Sequence, residues 1–135
     1  QTLTAASIFD RGARFHKKFV ADAAELYRRV GKPYRAFNLN PFIEDTQEKL
    51  KQRLSLYLER GEYRKASAMD RAVSRAGLLE NDDILYAMAF VKYQNGEFDQ
   101  VEQYLKPIKD SQLFEKAVAL RQQIGKCQDE ALACL

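Results

Sequence analysis

The chain has 135 residues, enough for one domain that buries about two thirds of the surface exposed by its unfolded chain. Apolar residues make up 46% and charged residues 30%, with six Gly and three Pro, and this composition excludes disordered, collagen-like and turn-rich β architectures. No apolar run approaches the roughly 18 residues that a membrane span needs, so we expect none in this chain. These features favour a helical protein, and the pattern of apolar segments along the chain predicts an all-α fold of about six to seven antiparallel helices.

The net charge of +3 hides a gradient along the chain. Residues 1–40 hold eight Lys or Arg against three Asp or Glu, whereas residues 81–135 hold six against nine. A basic segment at residues 11–35 favours binding of nucleic acid or of an acidic surface. A solvated helix face is the alternative interpretation of the same residues, whose basic side chains include Arg11, Arg14, Lys17, Lys18, Arg28 and Arg29.

The N-terminal part predicts one long helix. Apolar residues recur every three or four positions from about residue 5 to residue 30, and Gly31 followed by Pro33 is a helix stop signal. Two prolines and no sustained period in residues 33–41 predict an extended connector. We therefore place the module boundary after residue 39, with a long basic helix and connector at 1–39 and a helical array at 40–135.

The array predicts helices that end at glycine or proline. Asn40 before Pro41, Asn81 and Ser111 are the expected N-terminal caps, because their side chains accept hydrogen bonds from unpaired helix N–H groups. Pro107 should end one helix and Gly125 another. The expected helices cover residues 41–60, 63–76, 82–95, 98–106, 111–124 and a short segment at 128–134.

A repeat accounts for the middle of the chain. Gly61-Glu62-Tyr63 and Gly96-Glu97-Phe98 are 35 residues apart, and each closes one amphipathic segment and opens another. Superposing the glycines gives two helical hairpins at residues 47–80 and 82–115. The pattern resembles the tetratricopeptide repeat (TPR), which implies stacked hairpins with N- and C-terminal capping helices. The matching residues are Gly61, Tyr63 and Ala66 in one hairpin and Leu85, Ala89, Gly96 and Phe98 in the other.

The hairpins also depart from the TPR pattern. Leu54 occupies a position where the family has a small residue, and Lys92 stands where a core aromatic is expected. In the family the first helices of the hairpins line a partner-binding groove. The resemblance implies a groove here formed by Lys51, Ser55, Leu58, Asp83, Tyr86, Phe90 and Tyr93, the last three as an aromatic row. The alternative is that the N-terminal helix itself covers this row.

Specialised chemistry is not indicated by the residues. The chain has a single histidine, His16, and no phosphate-binding loop, dinucleotide fingerprint or metal-ligand spacing, so we expect no enzyme activity, no metal and no cofactor. Cys127 and Cys134 would lie about 10 Å apart along a continuous helix, too far for a disulfide. They are therefore two reduced thiols if the helix continues, or a disulfide if it breaks.

These observations lead to a non-catalytic protein–protein interaction module, an adaptor, chaperone-like or assembly subunit that holds a partner segment in a helical-repeat groove. The alternative is a basic helical module that binds nucleic acid or an acidic surface through residues 11–35. Homo-oligomerisation is a third possibility, because a short repeat array leaves apolar end faces to cover. The compartment stays open between the cytoplasm and, if a targeting segment has been removed, the periplasm or the extracellular space.

Overall fold

The computed structural model describes residues 3–8, 19–130 and 134. Within these residues the chain is helical and contains no β-strand, which confirms the all-α prediction. Short 3-10 helices lie at Asn40–Phe42, Leu78–Glu80 and Phe98–Gln100. Residues 3–8 are helical, and the described chain continues with eight further α-helices: α1 (Val20–Arg29), α2 (Pro33–Leu39), α3 (Thr46–Glu59), α4 (Tyr63–Ser67), α5 (Asp70–Arg75), α6 (Asp82–Gln94), α7 (Glu102–Leu105) and α8 (Ser111–Asp129).

The chain divides into two compact units, Gln1–Glu62 and Tyr63–Leu135. The boundary predicted after residue 39 falls inside the first of these units, because α1 packs against both α2 and α3. The observed division instead coincides with the turn of the predicted hairpin at 47–80. Each unit is therefore described by itself.

The core of the first unit combines small and large apolar side chains. One buried cluster joins Ala6, Tyr27, Ala36 and Leu56, and a second joins Val20, Ala24 and Ile43. Alanines at the helix contacts allow close approach of the backbones, and Tyr27 fills the remaining space. The helical segment at residues 3–8 thus belongs to the core of the first unit through Ala6.

Residues 33–41 form a helix, and the predicted extended connector is wrong. Pro33 occupies the first turn of α2, where its missing N–H and fixed φ are compatible with a helix. Pro41 lies in the 3-10 helix Asn40–Phe42. As a result the next α-helix begins at Thr46 rather than at Pro41, with Asp45 as its cap accepting a hydrogen bond from the Glu48 N–H at 3.0 Å.

The long N-terminal helix is only partly within the described residues. Residues 3–8 and α1 are helical, and Gly31 ends α1 as predicted. Residues 9–18 lie outside the description. They include four of the predicted basic-face residues, Arg11, Arg14, Lys17 and Lys18, as well as His16.

The second unit is organised around α6. This helix contacts α4, α7 and α8, and its buried residues include Leu85, Met88 and Val91. Asn81 caps it as predicted, with its side-chain oxygen accepting a hydrogen bond from the Asp83 N–H at 2.9 Å. A helix buried against three neighbours explains why its apolar residues extend around most of its circumference.

Other helix boundaries in the second unit differ from the predictions. The expected helix 63–76 is two helices, α4 and α5, separated by a turn at Ala68 and Met69. Asp110 rather than Ser111 caps α8, accepting a hydrogen bond from the Gln112 N–H. Gly125 does not end α8, which continues to Asp129, because a helical glycine weakens a helix without breaking it. The expected break at Pro107 is correct in position, since α7 ends at Leu105.

Three helix ends share one turn geometry, of which the sequence pattern revealed two. Gly31, Gly61 and Gly96 have φ of 74°, 68° and 74°, in the left-handed region that glycine enters at little cost. In each case the N–H of the residue after the glycine donates to the carbonyl five residues earlier, which is the Schellman arrangement. These acceptors belong to Tyr27, Tyr57 and Lys92, and the residues five positions after each glycine, Ala36, Ala66 and Val101, are buried.

Candidate functional site

The seven residues of the predicted groove lie on two helices, one in each unit. Lys51, Ser55 and Leu58 are on α3, where all three side chains are partly exposed. The other four are on α6, where Asp83 is exposed and the aromatic row of Tyr86, Phe90 and Tyr93 is half-buried. Within α6 the three rings share one face, because they are spaced by four and three residues.

Each ring of the aromatic row has a neighbour from another element of the second unit. The Tyr86 ring lies below the Lys116 ammonium of α8, 5.9 Å from its centroid. Phe90 packs edge to face against Tyr63, with centroids 6.0 Å apart, and Tyr93 packs against Phe98 at 5.8 Å. These contacts fix the ring positions while leaving part of each ring accessible. Burial raises the pKa of the Tyr86 hydroxyl, so this group stays neutral and available as a hydrogen-bond donor.

A buried lysine lies next to the row. Lys92 occupies the position where the sequence pattern expects a core aromatic, and its side chain is 2% exposed. Its Nζ donates to Ser67 Oγ at 2.7 Å and to Asp70 Oδ2 at 3.1 Å, and Glu97 Oε2 lies 3.5 Å away. Ser67 Oγ in turn donates to Glu97 Oε1 at 3.0 Å. We call these four residues the Lys92 cluster, and every proton of the ammonium group faces an acceptor within it.

The carboxylates of the Lys92 cluster are stabilised in their charged form. Burial raises the pKa of Asp70, but the hydrogen bond from Lys92 and the one from the Arg71 N–H outweigh it, and the pKa is lowered overall. Burial likewise raises the pKa of Glu97, while Ser67 and the Lys92 charge bring it below its usual value. Two carboxylates thus lie within ion-pair distance of one Lys92 ammonium.

The Ser67–Lys92 distance would suit a serine nucleophile activated by a lysine base, but the surrounding groups oppose that chemistry. A general base needs a free lone pair on a neutral amine, and here the ammonium is held by two carboxylates. The Ser67 hydroxyl points its proton at Glu97 rather than at Lys92. The cluster therefore acts as a polar bridge between α4, α5, α6 and the Gly96 turn. A cleft of about 430 Å³ adjoins it, lined also by Arg64, Asn95 and Gln100.

Three of the described basic residues of the first unit, Arg28, Arg29 and Arg35, contact side chains within it. Glu25 pairs with both Arg28 and Arg29, and Arg28 also pairs with Glu59. Burial raises the pKa of Glu25, yet hydrogen bonds and charge from the two arginines lower it overall. Arg35 lies over the Tyr27 ring at 5.3 Å. These pairings reduce the positive field that residues 28–35 present to a polyanion.

The structure joins Cys127 and Cys134 by a disulfide, with Cα atoms 5.3 Å apart. The two residues can approach because α8 ends at Asp129, so Cys134 does not continue the helix that carries Cys127. The predicted seventh helix over 128–134 is not observed at Glu130, where the backbone is extended; residues 131–133 lie outside the description.

Residues 3–8, 19–130 and 134 hold neither a metal-binding cluster nor a membrane-spanning helix. Among them, no group of three or more His, Cys, Asp or Glu side chains is placed to hold a metal ion. None of the helices in this described part combines the length and the apolar character required to traverse a bilayer.

Sequence reasoning missed the Lys92 cluster. Its members are separated by up to 30 residues, and the sequence marks only Lys92 as a departure from the repeat pattern. A lysine at an apolar position does indicate a buried ion pair, but it does not identify the acceptors. Comparisons with protein-family models, curated proteins and solved structures returned no match to this chain.

Proposed function

We propose that this chain is a non-catalytic interaction module, built of TPR-like helical hairpins, that binds an apolar segment of another protein across the aromatic row of α6. The proposal rests on the placement and exposure of the three rings of the aromatic row. They share one face of the central helix of the second unit, each contacts a neighbouring side chain, and each is partly exposed.

The row suits an apolar segment of a partner for reasons of area and entropy. Aromatic side chains offer a large contact area, and these three are already held in place, so little conformational freedom is lost on binding. Residues 86–93 span about 10 Å along the helix axis, which matches two turns of a partner helix. Lys116 at one end of the row, beside Tyr86, can orient a partner that carries a carboxylate there.

The proposal is tested with a partner isolated by the intact chain. Tyr86→Ala and Tyr93→Ala should each weaken binding by about tenfold or more, since truncated aromatic anchors typically cost over 1.4 kcal/mol. Phe114→Ala is the matched control: Phe114 is 50% exposed on α8 and lies outside the row. Circular dichroism of each variant verifies that folding is retained.

Two outcomes would contradict the proposal. One is binding that is unchanged in both tyrosine variants. The other is steep loss of binding between 50 and 200 mM salt, by about a hundredfold or more, which is typical of contacts to phosphates. That second result would favour the basic module at residues 11–35. Sedimentation of the isolated chain shows separately whether the chain associates with itself.

A further inference from the structure

A second cleft of about 470 Å³ lies between α5 and α7 and shares Asp70 with the polar cleft beside the Lys92 cluster. Its floor is apolar: Leu85 is 3% exposed and the Tyr104 side chain 7%, with Leu79 and Pro107 beside them. Its volume falls within the range of small-molecule sites. None of the three rings of the aromatic row lines it, so this α5–α7 cleft is independent of the function proposed above.

Two arginines form one lip of the α5–α7 cleft. Arg71 and Arg75 are exposed and one helical turn apart on α5, with Ser74 between them. Among the described residues, neither guanidinium has an ion-pair partner, in contrast to Arg28, Arg29, Arg60 and Arg121. Two guanidinium groups without an ion-pair partner therefore lie beside the apolar floor of the cleft.

Asp70 is the acidic side chain of the lining. Its Oδ2 accepts from Lys92, and its Oδ1 accepts from the Arg71 N–H. The lining therefore carries one negative charge, from Asp70, and two positive charges, from Arg71 and Arg75. Its formal charge is positive, which favours an anion.

We infer that the α5–α7 cleft binds an amphipathic oxyanion, a carboxylate or phosphate group attached to a compact apolar body. Guanidinium groups bind planar carboxylates and phosphates through paired N–H donors. The apolar body would cover Leu85 and the Tyr104 ring. Ser74 and Gln103 lie at the edge of the cleft and add hydrogen-bond donors for the oxyanion.

Three probes test this inference on the intact chain by NMR titration: 4-phenylbutyrate, phenyl phosphate and the neutral 4-phenylbutyramide. Either acid should bind with a dissociation constant of about 1 mM, the affinity expected of so small a ligand, and shift the amide signals of Ser74, Leu85 and Tyr104. The amide should bind at least about tenfold more weakly. Whichever acid binds better identifies the head group as carboxylate or phosphate.

Charge-matched variants complete the test. Arg71→Gln with Arg75→Gln should weaken binding of the preferred acid by at least about tenfold, because the oxyanion loses both charged donors. Arg64→Gln with Lys126→Gln removes the same charge outside the α5–α7 cleft and should leave binding within about twofold. The inference is overturned if neither acid shifts these signals at 20 times the expected dissociation constant, about 20 mM. It is also overturned if the amide binds equally well or if the two double variants behave alike.

Discussion

The two units place very different side chains at one position of the same turn. In the first unit Tyr27 lies four residues before Gly31, is 1% exposed, and accepts a hydrogen bond from Arg35 at its hydroxyl. In the second unit Lys92 lies four residues before Gly96, is 2% exposed, and is surrounded by Ser67, Asp70 and Glu97. The backbone geometry around the two glycines is alike.

The comparison shows that the same buried position before a turn glycine can hold an aromatic ring or a charged side chain. The ring of Tyr27 packs against apolar side chains, and its hydroxyl needs a hydrogen-bond partner. The lysine fills a comparable space but requires every acceptor around its ammonium to be present, because an unpaired buried charge is costly. We therefore expect the second unit to depend on a few polar contacts and on pH in a way that the Tyr27 site does not.

The largest expected effect comes from Lys92→Ala. This change removes the ammonium, leaves two carboxylates facing each other, and opens a cavity where the lysine stem was packed. The free energy of unfolding should fall by about 3 kcal/mol, the lower end for breaking a buried pair, because Asp70 and Glu97 both reach solvent. Urea unfolding followed by far-UV circular dichroism measures it.

Two variants serve as references for Lys92→Ala. Lys106→Ala truncates an exposed lysine of the same unit and should change stability by less than about 0.5 kcal/mol. Tyr27→Phe removes the hydroxyl at the equivalent position of the first unit and should cost about 1 kcal/mol at most, since the hydrogen bond to it is 3.4 Å long. A loss for Lys92→Ala no greater than that for Lys106→Ala would show that the cluster contributes nothing.

A smaller effect is expected when pH is lowered. The pKa values of Asp70 and Glu97 in the folded chain lie below their ordinary values of 3.8 and 4.5, and both depend on Lys92. A depressed carboxylate pKa stabilises the fold above the ordinary value, and this stabilisation is lost as pH falls through the folded value. The natural chain and Lys92→Met therefore differ in their free energy of unfolding, and this difference should become smaller as pH falls from about 5 to about 3.

This comparison isolates the cluster from other acidic groups. Glu25 and Glu102 also have lowered pKa values, caused mainly by their arginine partners against the effect of burial, and both keep those partners in Lys92→Met. Their contribution to acid sensitivity cancels in the difference. A gap that stays constant over the whole range would mean that the ammonium does not hold the two carboxylates in their charged form.

The sequence alone was informative wherever a local signal decided the structure. Asn81 before two aspartates predicted the start of α6, and the glycines at 61 and 96 predicted two turns, because caps and left-handed glycines depend on neighbouring residues. The face of α6 that carries the aromatic row also followed from residue spacing. The packing partners of its rings did not, since Tyr63, Phe98 and Lys116 come from three other elements.

Prediction from sequence failed where tertiary packing overrode a local signal. Two prolines made residues 33–41 look extended, yet Pro33 begins α2 and Ala36 is fully buried in the first core. The likeness of the Gly31 turn to those at Gly61 and Gly96 was also missed, because the residue two positions after Gly31 is Pro33 rather than an aromatic. The Lys92 cluster could not be found for a related reason: hydrogen-bond partners 25 and 22 residues away leave no periodic trace in the sequence.

The smallest expected effects test whether the turns of the two units are equivalent. Gly31→Ala and Gly96→Ala both place a Cβ at φ of 74° with open space around it, so each should cost about 1 kcal/mol from backbone strain alone. Gly125→Ala, also with open space but inside α8, should instead stabilise by about 0.5 to 1 kcal/mol. Urea unfolding of the three variants gives the signs and sizes directly. A larger loss of unfolding free energy for Gly96→Ala than for Gly31→Ala would mean that the Gly96 turn also positions Glu97 against Lys92. Backbone strain at Gly96 would then weaken the Lys92 cluster as well. Equal losses would contradict this coupling.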